Sequence, residues 1–228
     1  MLTLTEELLL IALDDETGKM SMSTSSSIHF GLAGAILMEL ALNGCIDYKN
    51  KKVIFLDQDD SGDELLNESL QYMKEKDKGK PRSMKHWVTK LGGHIQWKKK
   101  HQGYIDRLIE RGILKQEEQK VLFVFSKEVY PSENTGKENA IRAKVKEAIR
   151  SDEKIEGERT VVLIGLLHAC ELAKTLFTKE EYKDVKKKIK HIMKNNPHGK
   201  AVSVAIDAMN TAIIASVGAA AAASSSSS

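Results

Sequence analysis

The chain has 228 residues, and its 35 lysine and arginine residues exceed its 32 aspartate and glutamate residues by so little that the formal net charge is only +3. This balance excludes binding to nucleic acid or membranes through the charge of the whole molecule, so any anion site must come from local clusters. Hydrophobic residues make up 41% and charged residues 29%, which excludes a disordered protein and indicates a globular one.

Cysteine usage and the N-terminal residues lead us to expect a cytoplasmic protein. Cys45 and Cys170 lie far apart and suit neither a paired-cysteine zinc site nor a disulfide framework. Residues 1–7 lack the basic start of a secretory signal. Residues 201–223 approach the length of a membrane span, but a charge at Asp207 and several polar residues dilute them, so we predict that they do not cross a membrane.

The first predicted element is a short helix in the core. Thr3 and Glu6 form a capping-box pattern immediately before the apolar run Leu8–Leu13. That run offers no polar face, so this helix is expected to be buried on all sides. Residues 14–18, which begin with three acids and end with Gly18, are expected to end it in a polar turn.

A hydroxyl-rich segment, residues 21–27, then predicts an exposed loop. The chain resumes as a helix over residues 30–42, and the Asn-Gly pair 43–44 is expected to end it. Two short runs, 45–48 and 53–56, contain β-branched and aromatic residues and flank a polar turn. This pattern predicts a β-hairpin.

The order of helix, glycine and hairpin occurs a second time later in the chain. Residues 104–111 predict a helix with Gly112 as its stop. Apolar runs at 113–114 and 121–125 flank a polar turn at 115–119. Each of the two units resembles half of a winged-helix domain.

The rest of the chain is predicted to be helical, with one helix ending at Gly92–Gly93. We therefore expect a mainly α protein whose single-domain helical bundle core is surrounded by amphipathic helices, with two small β-hairpins. The domain is expected to span residues 1–218, and residues 219–228 form a low-complexity tail of alanine and serine. The further helices are predicted at 63–76, 83–91, 138–150, 159–177, 179–193 and 202–217.

The sequence contains no nucleotide-binding, nucleophile or metalloprotease motif. We therefore expect a protein that is not an enzyme and that needs no cofactor or metal. Its basic residues form clusters instead. Trp97, Lys98, Lys99, Lys100 and His101 are predicted to open the helix that runs to residue 111, and an aromatic ring beside three lysines can enter an interface while the ammonium groups meet phosphates.

Two other basic clusters are more simply explained as solvated faces that keep the protein soluble. The first covers one side of a predicted helix, and the second spans the start of another. They comprise Lys183, Lys186, Lys187, Lys188, Lys190 and Lys194 in the first cluster, and Lys80, Arg82 and Lys85 in the second.

Residues 2–18 match LTLxEExLLLxLxDxxG, the opening signature of the Golgi phosphoprotein 3 family, and the chain resembles that family up to about residue 215. The resemblance implies a mostly helical, non-enzymatic, peripheral membrane adaptor that binds phosphatidylinositol 4-phosphate and grips the tails of client proteins. The signature begins at residue 2, without the basic N-terminal extension of eukaryotic members, which leads us to expect a prokaryotic member. Further matching blocks are Gly31–Gly34, Met38–Leu42, Leu108–Leu114 and Leu166–Ala169.

The lipid pocket that the resemblance implies is altered in this sequence. The family uses a loop tryptophan, an arginine in a GLRG segment and two arginines three residues apart, and here these positions fall on residues 19–27 without tryptophan, Ala33, Lys98 and His101. Losing the guanidinium groups removes bidentate phosphate recognition, whereas lysine keeps a point charge. We therefore expect general anionic-lipid binding with degraded phosphoinositide specificity. The expected headgroup-binding residues are Lys98, Lys99, Lys100 and His101.

Two alternative functions stay open at this point. The winged-helix-like units suggest nucleic-acid binding, although the 104–111 helix carries Asp106 and Glu110 as well as two arginines, and this mixture argues against it. The hairpin edges at 46–56 or 121–125 suggest a homo-oligomer or another protein-interaction module without a lipid role.

Overall fold

In this computed structural model the described residues are 1–121, 125–151, 155, 157–195, 204, 207 and 211. They form eight α-helices and two antiparallel two-stranded sheets, which confirms the mainly α class with small hairpins. The helices are α1 (Leu4–Ala12), α2 (Met22–Leu42), α3 (Glu64–Asp77), α4 (Met84–Lys98), α5 (His101–Glu110), α6 (Gly136–Arg150), α7 (Glu158–Ala169) and α8 (Lys179–Asn195). The strands are β1 (Ile46–Lys49), β2 (Lys52–Phe55), β3 (Glu117–Val121) and β4 (Phe125–Val129).

Helix α1 lies at the centre of the core, as predicted. The Thr3 hydroxyl accepts a hydrogen bond from the Glu6 N–H at 3.2 Å, and the Glu6 carboxylate accepts one from the Thr3 N–H at 2.6 Å, so the capping box is present. All residues of α1 except Glu7 are buried. The helix contacts α2, α5, α6 and α7, and its apolar run is therefore enclosed by other helices.

Two arginines hold the adjacent acids of α1 from different sides, and the first is Arg107 of α5. Its Nε donates to Glu6 Oε1 at 2.8 Å, and its Nη1 donates to Asp63 Oδ2 at 2.6 Å. Glu6 is fully buried, and a buried carboxylate is tolerable only when it is paired and hydrogen-bonded. Arg107 thus connects α1 with α5 and with the residue that caps α3.

The second arginine is Arg159 of α7. Its Nη2 donates to the Leu2 carbonyl at 2.6 Å and to Glu7 Oε2 at 3.3 Å, and its Nη1 pairs with Glu39 of α2. Glu39 in turn accepts a hydrogen bond from the Leu4 N–H at 2.5 Å. The start of α1 is therefore fastened to α2 and α7 through charged groups.

The segment at residues 21–27, predicted as a loop, is instead the beginning of α2, so that prediction was wrong. The Ser21 side chain caps the helix by accepting from the Thr24 N–H at 3.2 Å. Short hydroxyl side chains weaken a helix interior because they compete for backbone hydrogen bonds. Here a favourable cap and the packing of a long helix override that local preference.

Helix α4 runs through Gly92–Gly93 to Lys98, so the predicted stop at the glycine pair was also wrong. A Cβ on Gly92 would lie 2.6 Å from Cδ1 of Phe30 on α2. Gly92 is therefore required for the close approach of two helices, and it does not end one. The C-cap residue is Lys99, whose φ of 49° is left-handed.

The first hairpin confirms its prediction. Strand β1 pairs with β2 from Ile46 opposite Phe55 to Lys49 opposite Lys52. The turn residues Asn50 and Lys51 have φ values of 50° and 63°. Positive φ at both positions is what a two-residue type I′ hairpin turn requires.

The second hairpin is displaced from its predicted register. The expected polar turn at 115–119 lies largely in β3, while Val121 ends β3 and Phe125 begins β4. The intervening residues 122–124 lie outside the described residues. The prediction of a first strand at 113–114 was wrong. These two residues are buried in the core directly after α5, and the Ile113 N–H donates to the Leu108 carbonyl.

The predicted single helix at 159–177 breaks after Ala169. Glu171 has a left-handed φ of 57°, and a short 3-10 turn follows at Leu172–Thr175. Leu172, Ala173 and Leu176 are nevertheless buried, so the apolar pattern continues to pack in a new direction.

The predicted helix at 202–217 lies almost entirely outside the described residues. Within the described part of the chain, no helix combines the length and the apolar character that crossing a membrane requires. The division into a domain at 1–218 and a tail at 219–228 stays a prediction.

Candidate functional site

The four expected headgroup-binding residues lie together where α4 turns into α5, and we call Lys98, Lys99, Lys100 and His101 the α4–α5 corner. Lys98 is the last residue of α4, and His101 is the first residue of α5. The prediction that one helix starts at residue 97 was wrong, because the left-handed Lys99 separates two helices. The three lysines are exposed, and His101 is half-buried.

The start of α5 adds to the positive potential of the corner. Lys100 occupies the N-cap position without a side-chain capping bond, and the first turn of α5 contains no acidic residue. The N–H groups of a helix N-terminus carry a partial positive charge that favours anions. Because the negative C-terminal end of α4 lies beside this positive helix start, the net positive potential of the corner comes mainly from its lysine side chains.

Only part of the corner is neutralised by acids of the described residues. Lys100 Nζ lies 2.6 Å from Glu68 Oε2 on α3, and both side chains are about half exposed, at 45% and 48%. Such exposed pairs contribute little, so this contact is weak competition for a bound anion. Lys98 and Lys99 form no ion pair with any described residue.

Two histidines interact electrostatically at this corner. Burial, and then the positive charge of Lys99, lower the pKa of His101. The pKa of His29, a buried residue of α2, is lowered by burial and then by His101. Both rings therefore favour the neutral form, and an anion at the corner would shift His101 toward the charged form.

The turn between α1 and α2 reaches the first turn of α5 through Tyr130. The Tyr130 N–H donates to the Gly18 carbonyl at 3.1 Å, and the Tyr130 hydroxyl donates to Gln102 Oε1 at 3.2 Å. Lys19 itself lines a different groove of about 610 Å³ together with Arg142, and no corner residue is in the wall of that groove. The structure therefore brings the four corner residues together and places Lys19 in a different groove.

The position of the family's GLRG arginine contributes no charge to this region. Ala33 is fully buried between helices. Its methyl group fills core space, and it offers nothing to a headgroup.

A second basic feature, which the sequence did not reveal, is a groove of about 680 Å³ along α4. We call it the α4 groove. His86, Lys90 and His94 follow one another at intervals of four residues and so share one face of the helix. That spacing was the available signal, and it was missed because the helix was expected to end before His94.

No catalytic or metal centre emerges from the described residues. Within the described ranges, no three histidine, cysteine or acidic side chains come together in a way that could hold a metal ion. Cys170 is buried, as expected of a small core residue, and its burial raises the pKa of the thiol to about 12. A thiol with so high a pKa is a poor nucleophile.

Comparison with known proteins gives a family match. The model of the Golgi phosphoprotein 3 (GPP34) family matches residues 4–209. The chain is also similar to vacuolar protein sorting-associated protein 74 of Eremothecium gossypii, with 28% identity over 163 residues, which is 63% of this chain and 48% of that protein. The match thus spans about half the length of this relative.

Proposed function

This chain belongs to the Golgi phosphoprotein 3 family, and on that premise we propose that it is a non-enzymatic, peripheral membrane adaptor that binds anionic lipid headgroups at the α4–α5 corner. The observation that supports the proposal most directly is the corner itself, where three exposed lysines and a half-buried histidine surround a helix start that contains no acid. Each cation near an anionic membrane surface contributes about 1 kcal/mol.

The proposed specificity is for negative charge in general. Lysine offers a point charge, whereas the planar fork of arginine can bind two phosphate oxygens at once. The buried Ala33 supplies no third contact. We therefore propose that phosphatidylinositol 4-phosphate has no large advantage over other anionic lipids of equal charge.

The adaptor role and its location form the second part of the proposal. The relative from Eremothecium gossypii is named for vacuolar protein sorting, and we extend a role in handling client proteins at a cytoplasmic membrane surface to this chain. Homo-oligomer formation through the hairpins and the prokaryotic origin both stay predictions of the sequence.

Nucleic-acid binding receives less support than lipid binding. The helix that would enter a groove is α5, and it carries Asp106 and Glu110. Its Arg107 is engaged by Glu6 and Asp63, and Arg111 Nη1 lies 3.4 Å from Glu6 Oε1. These arginines already have carboxylate partners within the fold, so little positive charge is left for phosphates.

The test is sedimentation with vesicles of phosphatidylcholine, either pure or mixed with phosphatidylserine. The full chain should bind the anionic vesicles at low salt, and Lys98→Ala with Lys99→Ala should weaken that binding by roughly 30-fold, because two contributions of about 1 kcal/mol are lost. The matched control is Lys183→Ala with Lys187→Ala on α8, which removes the same charge elsewhere. Equal binding to neutral and anionic vesicles, or an equal loss in the control, would overturn the proposal.

A further inference from the structure

The α4 groove is a positively charged depression without an acidic wall. Lys85, His86, Lys90 and His94 of α4 line it together with Tyr72 of α3, two hydroxyl-bearing side chains and a glycine. No carboxylate is among the residues that line it. Lys85 and Lys90 are exposed, and neither forms an ion pair with a described residue.

One of the two histidines is held in place by an aromatic stack. The rings of Tyr72 and His94 lie 3.9 Å apart between centroids, at an interplanar angle of 15°. Lys76 Nζ lies 5.6 Å from the centroid of the Tyr72 ring. The stack fixes the orientation of the His94 imidazole before any ligand arrives, which lowers the entropy cost of binding.

The charges that face His94 are mostly positive. Burial lowers the pKa of His94, and the cations Lys100, Lys98 and Lys76 lower it further, while Glu68 opposes them. The ring therefore favours its neutral form in the free protein and can take up a proton when a negative group enters.

His86 has a similar environment nearer the start of α4. Burial lowers its pKa first, and the cations Arg82, Lys90 and Lys52 add to the effect, while Asp77 opposes them. The neutral rings of His86 and His94 lie beside the unpaired Lys85 and Lys90. The positive field of this region favours binding of an anion.

We propose that the α4 groove binds a phosphate monoester, with Lys85 and Lys90 as charge partners and His86 and His94 as hydrogen-bond donors. A phosphate monoester carries a charge near −2 and three acceptor oxygens, which matches two ammonium groups and two ring N–H groups. The ester belongs either to a lipid headgroup or to a soluble phosphorylated molecule. No corner residue lines the α4 groove, although Lys100 lines a small neighbouring cavity with His94. The proposal does not depend on the function proposed for the corner.

The first arm of the test uses glycerol 3-phosphate and histidine NMR on the full chain. Saturation should raise the pKa of both His86 and His94, because a bound anion stabilises imidazolium. The ring signals of His191, which is exposed on α8, should not respond to the added ligand. Single histidine-to-asparagine substitutions assign the signals.

The second arm uses variants that change the groove and a matched control on α8. Lys85→Ala with Lys90→Ala should weaken glycerol 3-phosphate binding at least about tenfold, because hydrogen bonds to charged groups are lost. Gly93→Leu should also weaken it by filling the groove without changing charge, since a Cβ on Gly93 meets nothing within 4 Å. Lys183→Ala with Lys187→Ala, which removes two lysines of α8 that perturb neither histidine, should leave it nearly unchanged.

The third arm distinguishes the sources of the ester. If the groove accepts a lipid, vesicles that contain phosphatidic acid should bind better than vesicles with phosphatidylserine, and the Lys85 and Lys90 variant should lose this preference. If glycerol 3-phosphate alone shifts the histidines, the ligand is soluble. The proposal is overturned if neither probe raises the pKa values of His86 and His94. It is also overturned if both probes bind the variant Lys85→Ala with Lys90→Ala as well as they bind the wild type. If the groove proposal fails in this way, the corner proposal is tested separately. Loss of phosphatidylserine-vesicle binding in Lys98→Ala with Lys99→Ala would show that the function proposed for the corner still holds.

Discussion

Glu138 is a buried carboxyl group whose ionisation is linked to stability. It is 1% exposed, and Arg142 Nε donates to its Oε1 at 2.6 Å. Burial, followed by its interaction with the Asp15 carboxyl, raises the pKa of Glu138 to about 7, although Arg142 opposes the shift. Asp15 and Arg142 are the charged groups that face it, so this residue joins the turn after α1 to helix α6.

The raised pKa predicts that Glu138 makes the fold less stable as the pH rises. Between the ordinary value of 4.5 and about 7, the folded state holds a proton that the unfolded state has lost. Stability therefore falls through this range and levels off above it. Glu138→Gln cannot ionise and should not lose this stability. Its free energy of unfolding relative to the wild type should therefore increase by more than about 1 kcal/mol as the pH rises from 5 to 8.

Urea unfolding at several pH values measures this difference. The matched control is Glu147→Gln, an exposed glutamate on the same helix, which should keep the wild-type pH profile. Parallel profiles for the wild type and Glu138→Gln would show that this carboxyl titrates normally.

At the level of the elements, the two glycines of α4 have opposite roles. A Cβ at Gly92 would meet the Phe30 ring, whereas one at Gly93 would meet nothing within 4 Å. Gly92→Ala should therefore destabilise the protein by about 1 to 3 kcal/mol through overpacking. Gly93→Ala should stabilise it by up to about 1 kcal/mol, because alanine favours the helix.

Thermal or urea unfolding of the two single variants checks the prediction, and each variant is the control for the other. Loss of stability in both would mean that the glycine pair is needed for backbone flexibility. No loss in either would mean that α2 and α4 pack less closely than the Gly92 and Phe30 contact indicates.

These elements also explain how far the sequence predicts the fold. Helix α1 and the first hairpin were predicted because their signals are local, namely a capping box and two strands that flank a turn. Helix α4 was cut short because Gly92 serves a contact with Phe30, which is distant in sequence. The start of α2 was mistaken for a loop for a related reason, since packing along its length outweighs its hydroxyl-rich composition.

The same limitation applied to the candidate site. The α4–α5 corner is four consecutive residues, so its grouping could be predicted directly from the sequence. The α4 groove joins residues from α3 with residues on both sides of the glycine pair. Its pattern became visible only when α4 was known to continue past Gly93, because the one-face spacing of His86, Lys90 and His94 requires an unbroken helix.

Over the whole molecule, the small net charge is the sum of opposed surfaces. The corner and the α4 groove are basic, whereas the segment from Asp57 to Glu64 is rich in exposed acids. At moderate ionic strength, salt largely screens interactions between exposed charges that are more than about 10 Å apart. A membrane should therefore sense the nearest surface of the protein more than its total charge.

This distinction gives a prediction that compares local charge with net charge. Asp57→Asn with Asp59→Asn removes two exposed negative charges and raises the formal net charge from +3 to +5. If the corner alone meets the membrane, this variant should bind phosphatidylserine vesicles within about twofold of the wild type, because the changed residues lie outside the contact. Lys98→Ala with Lys99→Ala, which lowers the net charge to +1, should reduce binding far more. If vesicle affinity follows the net charge across both variants, binding is a property of the whole surface and the corner has no special role.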